Sequence, residues 1–132
     1  MKNDLLSPLA YMALLFVLAT LPGDASSGDL MSEVPTSLQN LAHVPAYGFL
    51  ALLWITTLKN LGMPHQGSLV LATCLASTYG ALTEFCQIWA PGRFPSLSDG
   101  LLDLVGSLLV VSMYQMPGFP GYGLNDMRKP EA

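Results

Sequence analysis

Charge is what this chain has least of. Only 11% of its 132 residues are Asp, Glu, Lys or Arg, and just five are Lys or Arg. That is about half the charged fraction of an ordinary soluble domain, too little to cover a water-facing surface of this size. With a net charge of −4 and so few cations, there is no basic face for a phosphate backbone, which excludes DNA and RNA as partners. Cysteine is scarce too. Cys74 and Cys86 stand twelve residues apart in one apolar run, roughly 18 Å along a helix, which excludes a disulfide between them. Lone thiols on a helix read as small packing residues.

What the chain has is apolar length. Apolar residues make up 52% of it and concentrate in four runs, 5–21, 38–58, 69–90 and 101–116. Four spans of about 20 residues would consume roughly 80 residues, leaving too few for a folded domain outside a membrane. A Rossmann fold, a barrel and a nucleic-acid reader are thereby excluded. The expected fold is all-α, a four-transmembrane-helix bundle integral to the membrane. Its parts are 1–37, the first span and an outer loop; 38–116, a core of three spans; and 117–132, a flexible cytoplasmic tail rich in Pro and Gly. For the first run, a cleaved signal peptide is the rival reading. Lys2 supplies an n-region, and Gly23, Ala25 or Ser26 small cleavage residues. Against it, the apolar stretch is long for an h-region and Pro22-Gly23 serves equally as a helix stop.

Cation placement sets the orientation. Lys2, Lys59, Arg128 and Lys129 fall at the N-terminus, the second loop and the C-terminus, against Arg93 alone in the first and third loops. Four against one places both termini inside. Every unusual polar residue then lies toward the outer side. His43 and Tyr47 are four apart on the second helix, Glu84 and Gln87 three apart on the third, and Asp99 and Asp103 four apart on the fourth, so each pair shares a helix face. Ala72, Ala76, Gly80 and Glu84 recur every fourth residue, a small-residue stripe of the kind that packs helices closely in lipid and that turns Glu84 into the bundle. Gly106, three after Asp103, argues the same for that carboxylate. Ser96-x-x-Asp99 fits a capping box opening the fourth helix. Pro45 is expected to bend the second helix. Tyr47 and Trp89 suit an outer aromatic belt, and Trp54 and Tyr114 an inner one.

These residues carry a resemblance. His43-x-x-x-Tyr47, Tyr79-Gly80-x-x-x-Glu84-x-x-Gln87-x-x-x-Pro91-Gly92-Arg93-x-x-Ser96-x-x-Asp99 and Asp103-x-x-Gly106 together resemble the VanZ-like family of small bacterial membrane proteins, over about residues 38–111. Asp103 stands where that family more often shows Asn. The family takes its name from a member linked to teicoplanin resistance, so the resemblance implies a role in the bacterial envelope, with influence on glycopeptide susceptibility, at the cytoplasmic membrane. It implies no particular reaction.

Three roles fit the polar residues. Glu84, Arg93 and Asp99 could be a structural salt-bridge network pinning the third loop to the bundle, although small apolar residues would pack helices without burying charge. A catalytic site would use Glu84 or Asp99 as general acid or base, His43 as its partner and Arg93 to hold an anionic group such as phosphate. A binding site without chemistry would add Tyr47, Gln87, Ser96 and Asp103 and take a phosphate-bearing envelope lipid or cell-wall precursor. A metal site from His43, Glu84, Asp99 and Asp103 is disfavoured, because no tight ligand motif is present and Arg93 would repel a cation. No metal or other cofactor is therefore expected. His65 reads as an exposed turn residue. The inner halves of the spans offer no ionisable relay, which argues against an ion or proton conduit.

Overall fold

The computed structural model describes residues 5–21, 40–92 and 95–119. Among these, all regular structure is helical. There are four helices, α1 (Leu6–Thr20), α2 (His43–Asn60), α3 (His65–Cys86) and α4 (Leu97–Tyr114), with a 3₁₀ turn over Gln87–Trp89 extending α3. Each lies within a few residues of its apolar run. The segment His65–Trp89, of 25 residues, and α4, of 18, are long and apolar enough to cross a membrane. By contrast, α1 has only 15 residues, about 22 Å of helix. α2 has 18 residues but opens on His43 and Pro45 and closes on Lys59 and Asn60, which dilutes its hydropathy.

Local chemistry explains the boundaries. Asn40 and Leu41 are helical, Ala42 is a turn, and α2 restarts at His43. Pro45 is thus the third residue of α2, inside a first turn whose N–H groups have no intrahelical partner, and its ring would collide with the carbonyl of Leu41 in a continuous helix. Proline here begins a helix instead of bending one, which corrects the expectation from sequence. α2 ends in a Schellman motif. Gly62, at φ +86°, donates its N–H to the Lys59 carbonyl, and Met63 donates to Leu58. The left-handed conformation explains the glycine, and Pro64 follows as the breaker before α3.

Contacts fix the directions. His43 meets Asp103, and Lys59 meets Tyr114, so α2 and α4 run parallel. Tyr47 meets Thr83 and Ser77 meets Ser107, so α3 runs against both. The Tyr11 hydroxyl donates to the Ala46 carbonyl at 3.2 Å, Tyr79 donates to that of Met12 at 2.5 Å, and Phe16 and Thr20 lie beside Cys86 and Trp89 at the end of α3, so α1 runs with α3 and antiparallel to α2. The result is an up-down-up-down bundle with its most extensive contact between α2 and α4. Gly106 permits that approach, since a Cβ there would overlap the Val44 carbonyl. The α3 stripe is buried throughout, Ala72 and Ala76 fully so.

Polar groups are buried beside an apolar core, while large apolar side chains crowd the surface. Asp103 and Ser107 are fully buried, and Thr83, Glu84 and Gln87 nearly so, while Leu6, Val70, Trp89 and Leu97 are all more than 60% exposed. Of the residues assigned to aromatic belts, Trp89 is exposed, but Tyr47, Trp54 and Tyr114 face the interior. Their surroundings give the reason for the two tyrosines. Tyr47 bonds Thr83, and Tyr114 accepts from the Lys59 ammonium at 3.1 Å, so a buried partner replaces the wet interface that an aromatic hydroxyl otherwise seeks.

Candidate functional site

The start of α2, the end of α3 and the start of α4 meet at one end of the bundle, and each contributes chemistry. His43 opens α2 with its Nδ1 2.8 Å from Asp103 Oδ1, six residues into α4. Asp103 is fully buried, and its Oδ2 has no hydrogen-bond partner. Gly80 makes the space: a Cβ at that position would overlap the Asp103 carboxylate. An aspartate this deep requires a helix opposite it that presents no side chain. The alternation of Gly80 and Glu84 on one face of α3 supplies both the gap and the next acid.

Glu84 caps a neighbouring helix. Its Oε2 accepts the backbone N–H of Ser96 at 2.9 Å, and its Oε1 accepts from Gln87 Nε2 at 3.3 Å. Ser96 is the N-cap residue of α4, as its motif predicts, and Asp99 lies in the first turn. The capping box itself does not form. The Ser96 hydroxyl makes no cap bond and pairs with Ser98 Oγ at 2.5 Å, while the N–H that Asp99 would have taken is occupied by Glu84. A carboxylate from α3 has displaced the local one, because a buried acid needs a donor more than a half-exposed acid does. Asp99 Oδ1 is buried without a partner.

A ring nitrogen of His43 and carboxylate oxygens of Glu84 and Asp99 lie within 4.8 Å of one another. Tyr47 stacks on His43 with ring centroids 6.0 Å apart. Its hydroxyl lies 2.6 Å from Thr83 Oγ1, and since Thr83 donates its own proton to the Gly80 carbonyl, Tyr47 is the donor of that pair. The structure therefore brings together His43, Tyr47, Glu84, Gln87, Ser96, Asp99 and Asp103. Arg93, and with it the expected Glu84–Arg93 ion pair, lies outside the described residues. Thr83 was missed in the sequence. A threonine in an apolar run carries no signal of its own, and only its position four before Gln87, on the face that Glu84 adjoins, could have pointed to it. His65 is half-buried, not exposed, and stacks near Tyr114 at the opposite end of the bundle.

The arrangement can orient an imidazole. With Nδ1–H donated to Asp103, the free lone pair of a neutral His43 is on Nε2. At the same end of the bundle, an apolar groove of about 270 Å³ runs between α1 and the end of α3, lined by Phe16, Thr20, Cys86, Trp89, Ala90 and Pro91. No family model matches the chain, and no curated protein or solved structure does either.

Proposed function

We propose that this chain is a four-span protein of the bacterial cytoplasmic membrane, similar to the VanZ-like family and with both termini inside, whose polar site at the outer membrane–water boundary binds or acts on a phosphate-bearing envelope lipid or cell-wall precursor. The observation that carries the reading is the clustering of His43, Glu84, Asp99 and Asp103 at one end of a bundle whose exterior is apolar. Ionisable residues within membrane-spanning segments are costly and are kept where they serve a site. Apolar exteriors this extensive call for lipid around them. The shortness of α1 is compatible with a span, since local thinning of the bilayer accommodates it at modest cost. The groove along α1 and α3 has the apolar lining that an acyl chain needs.

A second reading draws on the Glu84–Ser96 hydrogen bond, which is a structural use of one of the acids. The two readings separate experimentally because Glu84→Gln keeps an acceptor for the Ser96 N–H and removes the charge, with the Gln87 amide turning to accept from the new NH2 group. Lipids co-purifying with the wild type and with Glu84→Gln, identified by mass spectrometry, provide the test. Selective loss of one phosphate-bearing lipid class from a stably folded Glu84→Gln protein is the expected result. Identical lipid profiles, together with unchanged glycopeptide susceptibility, would leave the scaffold reading in place.

A further inference from the structure

We propose that His43, Glu84 and Asp99 hold a divalent transition-metal ion, of zinc type, at the mouth of the bundle, with Asp103 as the group that orients His43. This rests on the reading of the cluster as a functional site, and it names what that site binds first.

The donor set is the first argument. Three helices each contribute one ligand atom, and the three atoms lie within 4.8 Å of one another. Bonds of about 2.1 Å place two ligands of a tetrahedral ion roughly 3.4 Å apart, so side-chain movements of up to about 1.4 Å close the site. One imidazole with two carboxylates is a donor set for zinc-type ions rather than for magnesium or calcium, which favour oxygen alone.

The state of each donor is the second argument. Nδ1 of His43 is held by Asp103 at 2.8 Å, so the ion is assigned to Nε2, which the ring turns toward Glu84 and Asp99 as the site closes. This is the carboxylate–histidine–metal relay, in which the outer acid fixes the tautomer and raises the basicity of the ring. Asp99 Oδ1 is buried without a hydrogen bond, although Asp99 sits where a capping box would have employed it. Each Glu84 oxygen accepts one hydrogen bond and retains a second lone pair.

Charge balance is the third argument. Glu84, Asp99 and Asp103 bring three carboxylates to one imidazole. Among the described residues Lys59 is the only lysine or arginine, and it lies at the opposite end of the bundle beside Tyr114. When these three carboxylates are ionised, they carry a concentration of negative charge that a dication offsets. Sequence spacing disfavours a metal because the ligands come from three separate helices and form no local motif. Helix packing removes that objection.

The experiment uses the full-length protein in detergent, stripped with a chelator and titrated with ZnCl₂ against a fluorescent competitor. Wild type is expected to bind one equivalent saturably. His43→Gln and Asp99→Asn should abolish that equivalent, and Asp103→Asn should weaken it about 10- to 100-fold. Asp99→Asn is the decisive variant, because Asp99 Oδ1 has no hydrogen bond to lose and folding should survive, which a thermal melt checks. Absence of saturable binding by wild type, or equal affinity in wild type and a folded Asp99→Asn protein, would overturn the proposal. So would loss of the equivalent on His65→Gln, which would locate the ion at the other end. Lipid retention without zinc would sink the metal and spare the envelope-lipid reading. Zinc binding without lipid would do the reverse.

Discussion

Glu84 Oε2 accepts the backbone N–H of Ser96 at 2.9 Å, so the last turn of one helix holds the N-cap residue of the next. The bond spans the whole 87–95 connection and ties the site to the stability of the loop. It also changes what the neighbouring acid does: with the cap supplied from α3, Asp99 is left to face His43. One hydrogen bond thereby divides two acids between structure and site.

Replacing Glu84 should therefore give graded effects. Glu84→Ala orphans the Ser96 and Gln87 donors and is expected to destabilise by about 1 to 3 kcal/mol. Glu84→Gln retains the acceptor and should cost well under half as much. Thermal melts of both variants in the same detergent check the order, and equal losses would mean that charge, not the cap, is what holds Ser96.

The glycines should separate by what stands opposite them. Gly106→Ala meets the Val44 backbone, which cannot rotate away, whereas Gly80→Ala meets the Asp103 carboxylate, which can turn, and the Asp103 Cβ at 2.9 Å, which moves only with α4. Overpacking of this kind costs about 1 to 3 kcal/mol, with Gly106→Ala the more severe. Gly100, also helical, has open space around its Cβ position, and Gly100→Ala should stabilise by up to about 1 kcal/mol through helix propensity. Denaturation of the three variants gives the ranking directly.

The direction of the Tyr47–Thr83 hydrogen bond makes a third prediction. Tyr47→Phe removes a donor and leaves an acceptor that still bonds the Gly80 carbonyl, at a cost of about 1 kcal/mol. Thr83→Val strands a buried phenolic hydroxyl and should cost up to about 3 kcal/mol. If Tyr47→Phe proves the more damaging, the donor assignment is reversed.

Topology is open to a direct test. Reporter fusions at Gly28, Pro64 and the C-terminus should read outside, inside and inside, following the cation distribution. A C-terminus on the outer side would move the cluster to the cytoplasmic boundary and remove the envelope lipid as its ligand. Intact-mass measurement of the same protein shows whether residues 1–23 are retained.

Much of this molecule was legible along the chain because the physics involved is local. Four apolar runs mark four helices, and the Ala72, Ala76, Gly80, Glu84 spacing places an acid on a buried face, since 3.6-residue periodicity alone decides which side chains share a side. Ser96 reads as an N-cap for the same reason. Pairing is another matter. That Asp103 meets His43, sixty residues away, that Glu84 and not Asp99 takes the Ser96 N–H, and that Tyr47 turns to Thr83 instead of to an interface all depend on how closely three helices approach. That distance is set by Gly80 and Gly106 meeting atoms of other helices. Sequence by itself determined the helices and the faces that carry polar groups. Only the tertiary structure decided the partners, because a hydrogen bond is satisfied by whichever donor packing brings within about 3 Å, and a buried acid competes for that donor with every other acid that reaches it.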